Sequence, residues 1–271
     1  MLIGFLVIIG LCLLYVLAVR CRSGHPGLAD LRRFSYAHRG LHSQGVPENS
    51  MTAFRMALEK GYGIELDVHL LRDGTLAVIH DSSLLRTAGA DVLVEDLTLQ
   101  ELGNYRLEGT DAQIPLFSQV LELYAGKAPL IVELKPLRGN HAALSEAVCN
   151  MLADYPGAYC IESFDPRCVY WLKKHAPKII RGQLAQNNFR SKSKHPWILR
   201  LVMSHHLLNF LTVPDFVAYR FEHRGTTPSN WLCRKLWHAQ GVGWTLQTPE
   251  EQQKAKEEGW ISIFENFLPE P

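Results

Sequence analysis

Short β-rich runs alternate with helix-length segments along most of this chain, and that alternation limits the fold more than any other feature. The runs are residues 34–40 (FSYAHRG), 63–70 (GIELDVHL), 76–81 (LAVIHD), 129–135 (PLIVELK), 158–164 (AYCIESF), 178–184 (KIIRGQL), 215–221 (DFVAYRF), 241–246 (GVGWTL) and 261–267 (ISIFENF). Between them lie segments such as SMTAFRMALEKG, with Ser50 placed to cap a helix and Gly61 placed to stop it. Strand and helix alternating over about 235 residues predicts a parallel sheet covered by helices. That length suits a closed, TIM-type (β/α)8 barrel of the α/β class. Nine runs are one too many for eight strands, and the LRDGT link explains the excess. It is too short for a crossover helix, and Asp73-Gly74 is a hairpin signal. The runs 63–70 and 76–81 are therefore expected to pair antiparallel, residue i opposite about 147 − i, which sets His80 against Asp67.

The chain has 271 residues, is 47% apolar and carries a net charge of +1. This is ample for a buried core and offers no field that favours nucleic acid, so no nucleic-acid partner is expected. The cysteines at 12, 21, 149, 160, 168 and 233 form no C-x-x-C pair. They are expected to be reduced and mostly buried rather than a disulfide framework or a zinc site.

Met1 to Val19 contains no charged side chain. As a helix it would span about 28 Å, close to the roughly 30 Å of a hydrocarbon core. No basic residue precedes it, and Arg20 beside Cys21 spoils a lipoprotein-type site, so an uncleaved transmembrane helix is favoured over a signal peptide. The expected organisation is a membrane anchor over residues 1–20, a linker over 21–33 and a barrel domain over 34–271. Arg20, Arg22, Arg32 and Arg33 follow the anchor, which predicts a single-pass membrane protein with a cytoplasmic catalytic domain. A second apolar stretch, PWILRLVMSHHLLNFLTVP, follows a segment with Arg190, Lys192 and Lys194. Its polar stripe of Arg200, Ser204, His205 and Asn209 has helical spacing. It reads as an outer barrel helix, or alternatively as an interfacial helix resting on a bilayer.

Glu65 and Asp67 are two apart on one strand, so their side chains point the same way. They would repel unless a cation sits between them. Glu133 and Lys135 repeat the spacing on a later strand, and in a barrel the C-terminal strand ends converge on one mouth. Glu65, Asp67 and Glu133 together would offer an all-oxygen site suited to Mg²⁺ or Ca²⁺. His38 and His80 are acid–base candidates, and Arg39 and Lys135 could neutralise an oxyanion. Asp81 would orient His80. The competing reading is a set of salt-bridged strand ends and satisfied structural histidines.

The ordered motifs AHRG, PENSMTAF, IELDVHLLRDG, VIHD and VELKP resemble those of the glycerophosphodiester phosphodiesterases, from about Tyr36 to the end of the chain. The resemblance implies a β/α barrel that hydrolyses glycerophosphodiesters to an alcohol and sn-glycerol 3-phosphate with one divalent cation. By position it makes His38 and His80 the catalytic histidines and Glu65, Asp67 and Glu133 the metal ligands. It makes Arg39 and Lys135 substrate-phosphate contacts and gives Glu48 and Asn49 a loop-shaping role behind the ligands. Trp244, in GWTLQTPEE, reads equally as one wall of the pocket or as a core residue. Two departures stand out: Gln247 where the family has Asn, and FENFLP, with Glu265 and Asn266, where it has an Asp-containing pattern. The implied mechanism is attack by the glycerol 2-hydroxyl on phosphorus, followed by opening of the cyclic phosphate by water. A lysophospholipase D, or a sphingomyelinase D-like enzyme acting on membrane lipid, would use the same residues. A catalytically silent scaffold would be expected to lack one of them. The substrate is thus a glycerophosphodiester or a lysophospholipid, and the oligomeric state is open.

Overall fold

The β-rich runs form strands β1 (Tyr36–His38), β2 (Gly63–Leu70), β3 (Leu76–Val78), β4 (Leu130–Leu134), β5 (Tyr159–Ser163), β6 (Arg181–Ala185), β7 (Phe216–Arg220), β8 (Gln240–Leu246) and β9 (Trp260–Phe264). The structure, a computed structural model, describes residues 1–191 and 194–269. Lys192, counted above among the basic residues, and the last two residues of the 34–271 domain lie outside the described residues. Eight strands pair in parallel around a closed ring, with β1 joined to both β2 and β9, while β3 pairs antiparallel with β2. This is the expected eight-stranded barrel with one hairpin strand added at its rim.

The hairpin register differs from expectation by one residue. Val68 faces Val78 and Leu70 faces Leu76, so paired numbers sum to 146, not 147. The loop has three residues, closed by Leu71 N–H to Thr75 O at 2.8 Å, with Gly74 at φ +88°. Asp73 Oδ1 accepts the Thr75 N–H at 3.0 Å, an Asx turn that favours this longer loop over a two-residue one. The ladder ends before His80, which reaches the mouth from the segment beyond β3 rather than from a position opposite Asp67.

Helices follow the strands as their caps dictate. Ser50 accepts the Ala53 N–H and opens the helix Met51–Glu59, and Gly61 at φ +76° lies just past its end. Such a cap contributes about 1 kcal/mol. The period-2 alternation of the strands divides two cores. Ile64, Leu66, Val68, Leu130, Val132 and Ile161 point outward into the helix layer. Tyr36, Ile131, Cys160, Phe216, Val242 and Ile261 fill the barrel interior, and Leu28 and Leu31 of the short helix Leu28–Leu31 pack against them. The lower barrel is thus a mainly apolar plug, with Gln240 at the start of β8, and the inward-facing carboxylates and His38 lie nearer the C-terminal strand ends.

The apolar leader requires a correction. It forms the helix Leu2–Ala18, 17 residues long, and among the described residues no helix is long and apolar enough to cross a membrane. At 1.5 Å per residue it reaches about 25 Å, short of a roughly 30 Å core. Its last turn is committed to the barrel instead. Tyr15 Oη lies 2.7 Å from His205 Nδ1, the Trp237 indole donates to Val16 O at 3.0 Å, and Val19 is buried among Val217, Cys233 and Ala239. The transmembrane anchor, the membrane as a partner and the single-pass membrane localisation expected from this run are therefore withdrawn. Two of the arginines that follow are also engaged with the barrel, Arg22 with Asp215 and Arg32 with Gln240.

The second apolar stretch divides into helices Trp197–Ser204 and Asn209–Thr212. Its polar stripe faces the protein. Arg200 donates to Asn188 O, Ser204 Oγ accepts the Asn188 N–H, and Ser204 and Asn209 are fully buried. All six cysteines are free, four of them buried.

Candidate active site

The interior positions nearest the C-terminal ends of β1, β2, β4 and β5 carry His38, Glu65, Asp67, Glu133 and Glu162, none of which the apolar plug could accommodate. Parallel register aligns them: His38 with Glu65, Asp67 with Glu133, and Glu133 with Glu162. One oxygen from each of Glu65, Asp67 and Glu133 falls within 4.8 Å of the others. Lys135 Nζ sits 3.0 Å from Asp67 Oδ1 and 2.8 Å from Glu133 Oε1, and Arg39 Nε is 3.5 Å from Asp67 Oδ2. A single pocket is lined by His38, Arg39, Glu65, His80, Glu133 and Trp244, together with Glu162, Phe164, Leu184 and Ile263. All eight residues singled out from the sequence are therefore brought to one mouth, six on the pocket wall and Asp67 and Lys135 through their contacts with it.

Local backbone builds this arrangement. Arg39 adopts a left-handed conformation, φ 55°, uncommon for a side-chain-bearing residue. Its N–H bonds Glu65 O at 3.0 Å and its C=O accepts the Asn49 N–H at 2.9 Å. Gly40 follows at φ +80°, and a Cβ there would meet the Ala53 backbone at 2.8 Å, so the turn after β1 requires glycine. Asn49 Nδ2 donates to Asp67 Oδ2 at 2.8 Å. Glu48 bridges Arg39 at 2.9 Å and Arg86 at 2.6 Å, and Arg86 Nε donates to Asp81 at 2.5 Å. Both histidines are oriented through Nδ1: His38 lies 2.7 Å from Glu265 Oε2, and His80 lies 2.6 Å from Asp81 Oδ1.

The electrostatics are uneven. Burial pushes Glu65 well above the usual carboxylate range, with Asp67 and Glu133 adding to the push. Burial likewise raises Glu133, to about 7, against the pull of Lys135. Glu162 is raised well above its ordinary value, by burial and then by Glu133, and its Oε2 is buried without a hydrogen-bond partner. Burial works against the charge on Asp67 too, but Lys135, His80 and Arg39 hold it well below the ordinary value. Burial takes His80 down to about 4 and lowers His38. The hydrogen bond with His38 holds Glu265 down at about 2. Two carboxyls that resist ionising beside one that does not form a set short of positive charge. Trp244 stands edge-on to Phe164, centroids 5.5 Å apart, as one side of the pocket.

Sequence reasoning reads ESF, Glu162 to Phe164, as resembling a strand of the family but gives Glu162, Phe164 and Arg86 no role in the site, and it takes Glu265 only as a departure. Glu162 had a signal: it lies two residues from inward-facing Cys160, on the strand beside the one that bears Glu133. Arg86 had none, because its role depends on the loop beyond β3.

With this geometry in view, residues 38–268 match the Glycerophosphoryl diester phosphodiesterase family. The chain belongs to that family. It is 34% identical over 194 residues to a glycerophosphodiester phosphodiesterase of Caldanaerobacter subterraneus subsp. tengcongensis, covering 67% of this chain and 78% of the relative. A lysophospholipase D of Rattus norvegicus is 33% identical over 132 residues, 44% of this chain and 40% of that protein. In fold, the chain is similar to an Oleispira antarctica phosphodiesterase solved in complex with the product sn-glycerol-3-phosphate. Their TM-score is 0.69 at 23% identity, over 86% of this chain and 92% of that one. The resemblance read from the motifs holds for the family, for the barrel and for the enzyme class, a glycerophosphodiester phosphodiesterase.

Proposed function

We propose that this family member hydrolyses glycerophosphodiesters to an alcohol and sn-glycerol 3-phosphate, with one divalent cation, Mg²⁺ or Ca²⁺, held by Glu65, Asp67 and Glu133, and with His38 and His80 moving the protons. The observation that carries this reading is the gathering of three carboxylate oxygens within 4.8 Å, two of them on groups whose ionisation is disfavoured without a cation. The donor set is all oxygen, which fits a hard cation. When bound, such a cation supplies Lewis-acid polarisation and a template for the hydroxyl nucleophile.

The chain's own residues supply the rest. Arg39 and Lys135 neutralise non-bridging phosphate oxygens as charge shifts onto them. His38 and His80 each give Nδ1–H to a carboxylate, which leaves Nε2 to exchange protons. One takes the proton of the glycerol 2-hydroxyl as it attacks phosphorus, and the other protonates the departing alcohol. Water then opens the cyclic phosphate by the reverse traffic. Trp244 and Phe164 wall the pocket, and holding the hydroxyl in line contributes as much as the proton transfers.

A second reading is favoured by the lysophospholipase D relative: the same site acting on a lysophospholipid. One assay separates them. Purified chain is incubated with glycerophosphocholine, glycerophosphoethanolamine, glycerophosphoglycerol or a lysophospholipid, with Mg²⁺, Ca²⁺ or chelator, and products are followed by phosphorus NMR. The expected result is cation-dependent sn-glycerol 3-phosphate from a glycerophosphodiester. Turnover of the lysophospholipid alone would support the second reading, a cyclic phosphate end product would point to sphingomyelinase D-like chemistry, and full activity in chelator would contradict the cation site.

A further inference from the structure

A different set of donors lies on the other side of His38 from the acidic trio. His38 Nδ1 is 2.7 Å from Glu265 Oε2, and His42 Nε2 is 3.9 Å from Glu265 Oε1. One donor atom from each of His38, His42 and Glu265 lies within 4.8 Å of the others. His42 stands on the loop that leaves β1, and the turn at Gly40 brings that loop beside the end of β9, where Glu265 follows Phe264. His42 and Glu265 line a separate cavity of about 420 Å³, with Met56, Lys60 and Phe267, so this cluster can be reached without passing through the substrate pocket.

The chemistry of the two clusters differs. Three carboxylates suit a hard cation, whereas two imidazoles and one carboxylate are a zinc donor set that leaves a fourth position open. The spacing agrees. Ligands 2.0–2.1 Å from a tetrahedral ion stand roughly 3.3 Å apart. The two contacts are made by different oxygens of Glu265, and with one donor atom from each residue already within 4.8 Å of the others, rotations of these part-buried side chains reach that spacing.

We propose that His38, His42 and Glu265 form a second metal site, for Zn²⁺ or a similar first-row transition ion, and that filling it silences turnover. Without the ion, Nδ1–H of His38 donates to Glu265, and the lone pair on Nε2 faces Glu65, 3.9 Å away. Coordination uses the lone pair of Nδ1. The ring proton moves from Nδ1 to Nε2, with no net gain or loss, and the nitrogen facing the pocket can no longer accept a proton. The silencing rests on the role proposed above for His38; the binding does not.

The test uses the full chain with its acidic trio saturated by Mg²⁺, to which Co²⁺ and then Zn²⁺ are added. The expected result is one equivalent of Co²⁺ with strong visible absorption from a low-coordinate nitrogen-bearing site, displaced by Zn²⁺, and a fall of at least tenfold in turnover as Zn²⁺ binds. His42→Ala should keep basal turnover within about twofold, lose the absorption and need at least tenfold more Zn²⁺ for inhibition. His42→Asn serves the same purpose if the alanine variant folds poorly by circular dichroism. No absorption in the wild type, or equal absorption and equal inhibition in both proteins, overturns the site and locates any zinc effect at the acidic trio. Binding without inhibition overturns the silencing and counts against His38 as a proton carrier. Failure of the phosphodiesterase reading would show separately, as no turnover in the Mg²⁺-loaded wild type before zinc is added.

Discussion

Two buried ionic clusters sit at opposite ends of the same barrel, and they are built on opposite principles. Below β7, Asp215 is fully buried and completely matched. It takes two N–H groups from the Arg22 guanidinium at 2.5 and 2.6 Å and the Arg181 backbone N–H at 3.0 Å. At the mouth, Glu65, Asp67, Glu133 and Glu162 are at most 6% exposed, and among the described residues the only lysine or arginine side chains paired with them are Arg39 and Lys135. Protons or one divalent cation must make up the difference. A closed ion pair anchors structure, here the residues that follow the N-terminal helix. An open one is a place prepared for a ligand, because burying unbalanced charge is costly unless something else stabilises it.

The contrast predicts opposite responses to the loss of one carboxylate. At the mouth, Glu65→Gln should lower kcat/KM on the order of 10³-fold, or about 4 kcal/mol, while cation-free thermal stability holds or rises. A loss of both activity and stability would make the mouth a structural salt bridge after all. At the other end, Asp215→Asn should cost about 3 kcal/mol in denaturant unfolding and leave kcat of the folded fraction unchanged. His38→Ala and His80→Ala should fold normally and lose turnover by about 10²-fold or more, and near-full activity in either would remove that residue from the mechanism.

The pH dependence sharpens the same comparison. Glu133 is raised to about 7 in the folded chain, so between its unfolded value and 7 the folded state binds more protons than the unfolded one. Without divalent cation, the contribution of Glu133, read as the difference between wild type and Glu133→Gln, should therefore fall by about 3 kcal/mol as pH rises from about 4.5 to 7; the difference isolates it from His80, which is taken down to about 4 and acts in the opposite sense over part of that range. Saturating Mg²⁺ or Ca²⁺ should flatten that decline and release protons as it binds, which calorimetry in buffers of different ionisation enthalpy would register. An unchanged profile with and without cation would deny the mouth its special character.

Much of this site was legible in the chain itself because the chemistry sits on regular strands. Glu65 and Asp67 are two apart, Glu133 and Lys135 repeat the spacing, and a parallel barrel brings both strands to one end. What the sequence did not disclose depends on irregular backbone. The three-residue Arg72–Gly74 loop moved the hairpin register by one, and the route of the chain after β3, not the ladder, delivers His80 and Arg86. The leader shows the opposite failure. Nineteen uncharged residues satisfied a hydropathy rule, but composition does not reveal that Tyr15, Val16 and Val19 are spent on packing against His205, Trp237 and Cys233. The stripe from Arg200 to Asn209 was legible as helical spacing, but spacing does not show which way it faces, and here its residues tie the helix to the barrel.

The most direct measurement is a crystal equilibrated with Mn²⁺ and examined by anomalous scattering, since Mn²⁺ occupies Mg²⁺- and Ca²⁺-type oxygen sites. One peak within about 2.0–2.6 Å of oxygens from Glu65, Asp67 and Glu133 together is the result expected here. A mouth that stays dark, or a peak that engages none of the three, would contradict it.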